Sequence, residues 1–351
     1  MAKGKAKFIL KVVFSIVLVL SIGTGFIGLH YYNIIWKSNV VSEISEDEYF
    51  YIPTGSSFDE VTKSLYEKGI IQNRSSFVWV AEYMKYNLNI KPGRYKLVPG
   101  SNNKELVTLL RSGKQVPVQL TFNNIRLRNE LAGVVAKQIE ADSAVIVSIF
   151  DNPELHRKYG FDRETFFTMF IPNTYQFNWN TNTDQFVKRM ASEYKKFWTE
   201  ERQEKAKALG LSQSEVSSMA AIVQKETAKN DEKPVVAGVY HNRIKKGMKL
   251  EADPTLIYAI GDFTIRRVLN KYKEVDSPYN TYMYKGLPPG PICLPEISSL
   301  DAVLNRQNHE FIFFCAKDDF SGYHNFAKTY AQHKVNARKF HRAMNAAKIY
   351  K

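Results

Sequence analysis

The first feature of the hydrophobic pattern is a run of 18 uncharged, mostly apolar residues at positions 12–29. A helix rises about 1.5 Å per residue, so this run is about 27 Å long and matches the hydrocarbon core of a bilayer. The residues that follow, 30–36, include two tyrosines and a tryptophan, which suit a membrane interface. The pattern predicts a transmembrane helix at 12–32, preceded by a tail at 1–11.

The charges on either side of this run predict its orientation. Four lysines precede it, whereas acidic residues dominate the segment at 42–48. The positive-inside rule therefore places the N-terminus in the cytoplasm and the rest of the chain outside the plasma membrane. A cleaved signal peptide is the alternative, but the run is long for one and no A-x-A-like site follows it. We expect a single-pass membrane protein with a polar linker at 33–47.

Residues 48–122 carry one pattern twice. A β-prone stretch, Tyr49–Ile52, is followed by a Ser-x-x-Glu capping box at 57–60, an apolar helical stripe and a glycine that ends the helix. The segment at 93–114 repeats this order, and a second helix at 75–86 separates the copies. The order β-α-α-β is similar to that of a LysM-like module, which binds glycan in its family. A spacer is the alternative.

Beyond residue 123 the periodicity is mainly helical. Residues 183–210 predict one long amphipathic helix that ends at a glycine. A Ser-x-x-Glu capping box at 212–215 starts the next helix. Proline and glycine then bound a further helix at 234–247.

Glu226 lies near the end of the helix that this capping box starts. Met219, Ile222 and Val223 form an apolar stripe, and Glu226 continues it, since it lies four residues after Ile222 and three after Val223. An inward-facing carboxylate loses hydration and its pKa rises, which suits a general acid near neutral pH. Periodicity alone still favours a structural carboxylate, because these outnumber catalytic ones.

Two other carboxylates and an aromatic loop follow. Asp253 precedes a proline and is predicted to be the N-cap of a short helix, which leaves Glu251 as the alternative second carboxylate. The stretch at 277–291 is rich in tyrosine, proline and glycine. Aromatic faces stack on sugar rings, so this loop could form part of a carbohydrate site. A connection packed by tyrosines is the alternative.

Composition and charge narrow the function further. A net charge of +14 favours an anionic partner, and 44% hydrophobic residues are ample for a globular core. Because most of the chain is expected outside the membrane, an anionic envelope polymer or a lipid surface is a better partner than nucleic acid, which we do not expect. Cys293 and Cys315 are too few for a disulfide framework, and they could pair or stay free.

Motifs of other enzyme classes do not occur. There is no G-x-S-x-G, no P-loop and no H-E-x-x-H, and the seven histidines are scattered. His333 and His341 fall in the basic segment at 329–351, which predicts a helix whose solvated face explains them. A metal site is not expected.

Three runs occur in a fixed order, namely AAIVQKET at 220–227, VAGVYHNRIKKGMKLEADPTLIYA at 236–259 and YNTYMYKGLPPGPI at 279–292. With these runs the chain closely resembles the endolytic murein transglycosylase family, also called YceG-like. The resemblance implies an α+β fold with an N-terminal transmembrane helix, a small LysM-like α+β module and a larger catalytic domain at 123–351.

The resemblance also implies an activity. The family is expected to cleave the MurNAc-GlcNAc linkage in nascent peptidoglycan strands without water, leaving 1,6-anhydro-MurNAc ends. Glu226, the glutamate of the V-x-K-E-T run, would act as general acid and then as general base. No cofactor is implied. Peptidoglycan strands would be the substrate, and penicillin-binding proteins or other wall synthases are plausible neighbours.

By the same resemblance six residues line the substrate cleft, namely Asn242, Asp253, Asn280, Tyr282, Gly286 and Pro288. Two alternatives stay open. One is a water-using peptidoglycan glycosidase, in which Glu251 or Asp253 is the second carboxylate that such enzymes usually need. The other is a non-catalytic scaffold that binds the wall through the LysM-like module and the aromatic loop.

Overall fold

The computed structural model describes residues 2–43, 45 and 47–347. Three predicted segments extend beyond this range. Met1 of the predicted tail, Ile44 and Glu46 of the predicted linker, and residues 348–351 of the predicted C-terminal helix lie outside the described residues.

The chain divides into two compact units, Met1–Val118 with Gln176–Asn180, and Gln119–Tyr175 with Thr181–Lys351. The elements in chain order up to the middle of the protein are α1 (Ala2–Trp36), β1 (Tyr49–Ile52), α2 (Phe58–Glu67), α3 (Arg74–Tyr83), β2 (Gly93–Lys96), α4 (Asn103–Ser112), β3 (Val118–Phe122), α5 (Arg128–Ala136), α6 (Ser143–Ser148), α7 (Pro153–Tyr159) and β4 (Asn173–Phe177). The predicted domain boundary at 122/123 stays a prediction.

The elements that follow are predominantly helical. They are α8 (Thr183–Phe197), α9 (Glu200–Leu209), α10 (Gln213–Glu226), α11 (Lys233–Lys245), α12 (Asp253–Ile260), α13 (Ile297–Leu304), β5 (Phe313–Ala316), β6 (His324–Ala327) and α14 (Tyr330–Ala346). Short 3-10 turns occur at Tyr86–Leu88, Ile149–Asp151, Phe166–Met169 and Asn270–Glu274.

Helix α1 contains the predicted membrane span. Its segment Lys7–Trp36, in which an 18-residue stretch has a mean hydropathy of 2.4, is long and apolar enough to cross a membrane. The C-terminal end of α1 packs on the first unit, where the ring of Tyr31 lies 5.1 Å from that of Trp79. The chain therefore has an N-terminal apolar helix that is compatible with a single-pass membrane anchor.

The first unit has the predicted β-α-α-β order. Strands β1 and β2 pair antiparallel, with Tyr49 opposite Lys96, and helices α2 and α3 lie between them in sequence. Alternate strand residues such as Phe50 and Ile52 enter the core, because successive side chains of a strand point to opposite faces. Leu65 of α2 is buried in the same core.

The predicted helix ends of this unit are confirmed. Ser57 and Glu60 form the capping box of α2, and an equivalent box starts α4. The glycines that follow the two helices, Gly69 and Gly113, have φ values of 67° and 71°. This left-handed conformation suits a residue without a Cβ atom, which explains why both copies of the pattern end in glycine.

The single long helix predicted at 183–210 is wrong. The chain forms α8 and α9, separated at Trp198 and Thr199. The hydroxyl of Thr199 accepts a hydrogen bond from the backbone N–H of Arg202 and so caps α9, while Trp198 is buried. A threonine that caps a new helix outweighs the continuous amphipathic pattern around it.

Helix α10 occupies the centre of the second unit and contacts α11, α12 and α13. It is buried along most of its length, from Val216 to Val223. The antiparallel hairpin of β5 and β6 packs against α14. This hairpin was not predicted, because each residue of β5 is half-buried and the strand lacks the usual alternation. Cys293 is buried, Cys315 is half-buried, and both thiols are free.

Candidate active site

A cavity of about 550 Å³ lies in the second unit at the C-terminal end of α10. Its lining residues are Glu226, Tyr240, Arg243, Leu250, Glu251, Asp253, Lys273, Tyr282, Phe313, Phe314 and His333. The volume falls within the range of ligand pockets, and the lining combines carboxylates, cations and aromatic faces. These groups suit a ligand that has both hydroxyl groups and apolar ring faces.

Local sequence places Glu226 on the wall of this cavity. Ser212 and Glu215 form the predicted capping box at the start of α10. The predicted stripe of Met219, Ile222 and Val223 is fully buried, and these residues hold the helix in the core. Glu226 is the last residue of the helix and is half-buried, so its side chain leaves the core where the cavity begins.

The surroundings of Glu226 favour its protonated form. Burial raises the pKa of this carboxyl group to about 7. The Tyr240 hydroxyl donates a hydrogen bond to Oε1 at 2.7 Å and lowers the pKa, whereas the charge of Asp253 raises it. The positive charge of Arg243 is a smaller lowering influence. Near neutral pH the group can therefore both release and accept a proton.

Tyr240 and Arg243 reach the cavity from α11, because residues three apart lie on one face of a helix. The Arg243 side chain is buried and donates hydrogen bonds to the carbonyl of Ile312, at 2.7 Å, and to that of Leu250, at 2.9 Å. It also forms an ion pair with Glu251 at 3.1 Å. Arg243 thus ties the segment before α12 to the segment before β5.

Asp253 lies in the cavity, and its predicted role as an N-cap is wrong. Ala252 is the residue at the cap position of α12, and no side chain makes a capping hydrogen bond there. Instead the Thr281 hydroxyl accepts from the backbone N–H of Ala252 at 3.0 Å. The Asp253 carboxylate is left to accept a hydrogen bond from the Tyr282 hydroxyl.

Tyr282 is the second predicted substrate-binding residue that lines the cavity. Burial and the neighbouring Asp253 raise the pKa of its phenol, so the hydroxyl stays protonated and donates. The ammonium group of Lys273 lies 4.6 Å from the centre of the Tyr282 ring. The cavity wall therefore contains a cation in contact with an aromatic ring.

Asn280 and Asn242 do not line this cavity. The Asn280 amide donates to the carbonyls of Lys273 and Val275, and its oxygen accepts from the backbone N–H of Tyr282. Asn280 therefore shapes the turn that carries Tyr282. Asn242 points away from the cavity-lining face of α11 and donates to the carbonyls of residues 309 and 311 at 2.7 and 3.0 Å.

Gly286 and Pro288 are also outside the cavity lining. Gly286 has a φ of 86° and turns the chain in the loop after Tyr282, and Pro288 is buried. Further along this loop Gly290 approaches the backbone carbonyl of Glu164 so closely that a Cβ atom would clash. The loop that contains these residues thus packs against the segment at Glu164 of the same unit. The predicted contact of Gly286 and Pro288 with substrate stays a prediction.

The sequence pattern missed seven residues of the cavity wall, namely Tyr240, Arg243, Leu250, Lys273, Phe313, Phe314 and His333. The prediction that a solvated face explains His333 is wrong, because its ring stacks on that of Phe313 at 5.3 Å and 20° and lines the cavity. Burial and the charge of Arg243 lower the pKa of His333. His341, in contrast, is exposed, as predicted. Phe314 packs edge-on against Tyr240 at 5.9 Å.

The carboxylates of the cavity each have a different protein partner. Glu226 binds Tyr240, Glu251 pairs with Arg243, and Asp253 binds Tyr282. Within residues 2–43, 45 and 47–347, no group of three or more His, Cys, Asp or Glu side chains is placed to hold a metal ion. The carboxyl groups, cations and hydroxyl groups that line the cavity can transfer protons and stabilise charge.

Comparison with known proteins identifies the family. The model of the YceG-like family matches residues 50–339 of this 351-residue chain. The chain belongs to the YceG-like family. This result confirms the family that the three ordered sequence runs indicated, and the fold is the mixed helix-and-sheet YceG-like fold with an N-terminal apolar helix.

Several relatives of this YceG-like chain have curated names. The chain is 27% identical over 305 residues to the endolytic murein transglycosylase of Bacillus subtilis (strain 168), covering 82% of this chain and 83% of that protein. It is 23% identical over 295 residues to the endolytic murein transglycosylase of Streptococcus pneumoniae serotype 2 (strain D39 / NCTC 7466), covering 76% of this chain. That match spans 53% of the pneumococcal protein, about half its length.

A solved structure is also similar. A YceG-like protein from Listeria monocytogenes is 28% identical, with a TM-score of 0.53. The match covers 82% of this chain and 99% of that one. The likeness agrees with the family assignment and extends it to most of the fold.

Proposed function

We propose that this chain is an endolytic peptidoglycan lytic transglycosylase that cleaves the MurNAc-GlcNAc bond in nascent glycan strands. The observation that carries the proposal is Glu226, a carboxyl group with a pKa of about 7 on the wall of a cavity of about 550 Å³. The names of the relatives from Bacillus subtilis and Streptococcus pneumoniae support the reaction class.

In the proposed mechanism Glu226 begins protonated. It gives its proton to the glycosidic oxygen while the bond from that oxygen to C1 of MurNAc breaks. The C6 hydroxyl oxygen of the same sugar then bonds to C1, and its proton passes to the Glu226 carboxylate. The product is a 1,6-anhydro-MurNAc end, no water is consumed, and Glu226 is protonated again. The substrate's acetamido group and the charge of Asp253 would stabilise positive charge at C1.

The other cleft residues have distinct proposed roles. Tyr240 holds the Glu226 carboxyl group through its 2.7 Å hydrogen bond. Asp253 and Tyr282 contact substrate, because both line the cavity. Asn280 positions Tyr282, and Asn242, together with the loop that contains Gly286 and Pro288, shapes the walls of the cleft. Each of these assignments is part of the proposal.

The test uses the full chain in detergent micelles and polymeric glycan strands. The wild type should release fragments with anhydro ends, which mass spectrometry distinguishes from reducing ends by the mass of one water. Glu226→Gln should abolish them, because glutamine keeps the shape but cannot transfer the proton. Anhydro ends at the wild-type rate from Glu226→Gln would refute the assignment.

A water-using glycosidase is the second candidate, since Glu251 and Asp253 lie in the same cavity as Glu226. Such an enzyme needs a second carboxylate to activate water or to act as a nucleophile. It would produce reducing ends instead of anhydro ends. Loss of the reducing ends in Glu251→Gln or in Asp253→Asn would then identify the second carboxylate.

We also propose that residues 48–122 form a LysM-like module that binds glycan. The β-α-α-β order supports this, as does a cavity of about 370 Å³ lined by residues 50–56 and by part of α2. The Glu226→Gln protein should sediment with insoluble peptidoglycan, and adding Tyr51→Ala should weaken this. Tyr66→Ala is the matched control, because Tyr66 is exposed and does not line the cavity. If the protein binds peptidoglycan but the wild type cleaves none, the non-catalytic scaffold would be favoured.

The location of the chain is proposed from its charges. We propose that residues 1–11 lie in the cytoplasm, 12–32 span the plasma membrane, 33–47 form a linker and 123–351 form the catalytic domain outside. Penicillin-binding proteins or other wall synthases would then be neighbours. A cysteine introduced at the exposed Lys188 should react with a membrane-impermeant maleimide in intact cells. Reaction only after lysis would contradict this orientation.

A further inference from the structure

A second cavity of the same unit, of about 120 Å³, adjoins the candidate active site. Arg126 and Lys225 contribute its cations, and the rest of its lining is apolar or aromatic, including Tyr258 and Phe263. No aspartate or glutamate of the described chain lines it. The volume is well below the range of about 300–1,000 Å³ for whole-ligand pockets, so it fits one chemical group and not a sugar ring. We call it the basic cavity.

Two helix ends separate the basic cavity from the active-site cavity. Lys225 precedes Glu226 in the last turn of α10, and Pro254 follows Asp253 in the first turn of α12. In each pair one residue lines the basic cavity and the other lines the active-site cavity. Consecutive helical side chains diverge by about 100°, so the two cavities flank a shared wall. A substituent of a strand seated at Glu226 is thus close to the basic cavity.

Among the described residues, the side-chain contacts that hold the two cations of the basic cavity are with uncharged groups. The guanidinium carbon of Arg126 lies 4.2 Å from the centre of the Phe263 ring. The Lys225 ammonium group donates to Asn124 Oδ1 at 3.1 Å. Their charges act on a common interior point, because both lower the pKa of Cys293, which burial raises to about 11 and which the charge of Glu296 raises by a smaller amount. Two cations beside apolar walls, in a cavity that no described carboxylate lines, favour an anionic ligand.

We propose that the basic cavity binds a carboxylate of the peptide that the glycan strand carries. The inference rests on the proposed function, since peptidoglycan carries short peptides with free carboxylates on its lactyl-bearing sugars. Arg126 can bind a carboxylate through two parallel N–H donors, and Lys225 supplies a second positive charge. The contact would select peptide-bearing strands and set which bond lies at Glu226.

The test measures binding, so that it does not depend on cleavage. The full chain with Glu226→Gln, in detergent micelles, is titrated with three soluble glycan fragments. The first carries the peptide, the second carries the peptide with its carboxylates amidated, and the third has no peptide. We expect the Kd of the first fragment to be about tenfold lower than that of the second.

Charge variants identify the site. When Arg126→Gln and Lys225→Gln are added to the Glu226→Gln protein, the first two fragments should have equal Kd values. The Kd of the third fragment should be unchanged. Adding Lys188→Gln and Lys207→Gln removes the same charge from exposed positions and should preserve the tenfold difference. If the Arg126/Lys225 variant binds no fragment, Arg126→Lys and Lys225→Gln are measured singly, and each should reduce the difference.

Several results would overturn the basic cavity as a carboxylate site. These are equal Kd values for the first two fragments in the parent protein, a tenfold difference that survives loss of both cations, or a parent protein that binds none of the three fragments. The proposed function fails separately. If anhydro ends never form but the carboxylate dependence holds, the reaction assignment is wrong and the site stands. If anhydro ends form without carboxylate dependence, the site alone is wrong.

Discussion

Replacement of Tyr240 by phenylalanine isolates one of the forces that act on Glu226. The substitution removes a single hydroxyl, which donates to Glu226 Oε1 at 2.7 Å, and leaves the ring packed against Phe314. A hydrogen bond to the ionised carboxylate stabilises that form, so its loss shifts the equilibrium towards the protonated acid. Burial and the charge of Asp253, which raise the pKa, remain in place.

The size of the shift in the pKa of Glu226 follows from the strength of the hydrogen bond that is lost. A hydrogen bond to a charged group contributes about 1.5–3 kcal/mol, and one pKa unit corresponds to about 1.36 kcal/mol. The pKa of Glu226 should therefore rise from about 7 by roughly one to two units in Tyr240→Phe. Because the proposed reaction begins with protonated Glu226, the rate falls as pH rises through this pKa. The alkaline limb of the pH profile should move upward by the same amount.

The assay is kcat/KM for release of anhydro ends between pH 5 and about 10, since this parameter reports the free enzyme. Tyr175→Phe is the matched control, because it also removes a buried hydroxyl, which donates to the carbonyl of Ile171 away from the cavity. Its profile should coincide with the wild type. An alkaline limb in Tyr240→Phe that stays in place or moves downward would refute the account of Glu226.

Further substitutions test charge and packing. Asp253→Asn should lower the pKa of Glu226 and move the alkaline limb downward while anhydro ends still form; complete loss of cleavage would contradict this. The stability of the wild type should fall by at most about 3.4 kcal/mol between pH 4.5 and 7, because the folded protein holds the Glu226 proton to higher pH than the unfolded chain. Glu226→Gln should lack this fall, and parallel stability curves of the two proteins would contradict the account. Gly290→Ala should destabilise by about 1–3 kcal/mol in denaturant titration through its clash with the Glu164 carbonyl, whereas Gly133→Ala, in open space on α5, should stabilise by up to about 1 kcal/mol; equal midpoints would refute the packing.

Local chemistry explains which parts of the fold were predictable. The capping boxes at Ser57 and Ser212 and the glycines that follow α2 and α4 depend on interactions within a few residues. The apolar stripe before Glu226 is also a local pattern, because helical spacing alone decides which side chains share a face. These signals place Glu226 at the end of a buried helix before any tertiary contact is known.

The rest of the site depends on contacts between distant segments. The residues around His333 in sequence are those of a polar helix. Its place at the cavity becomes visible only through its packing on Phe313. Asn242 lies in a recognisable run, but the carbonyls of residues 309 and 311 occupy its amide. Tyr240 was within reach of sequence reasoning, since it lies three residues before Arg243 on one helical face. Its hydrogen bond to Glu226, however, joins two different helices, so the spacing of residues along one helix does not reveal it.

Asp253 shows how one local error bears on the mechanism. As a helix cap, Asp253 would have been occupied, which would agree with a reaction that has one essential carboxylate. Thr281 instead holds the start of α12, which leaves the Asp253 carboxylate in the cavity with the Tyr282 hydroxyl. Its charge raises the pKa of Glu226, so it helps to keep the acid protonated whether or not it also activates water. The choice between transglycosylase and hydrolase therefore cannot be made by counting carboxylates. It depends on whether the C6 hydroxyl or a water molecule reaches C1 first, which the chemical nature of the new chain end records directly.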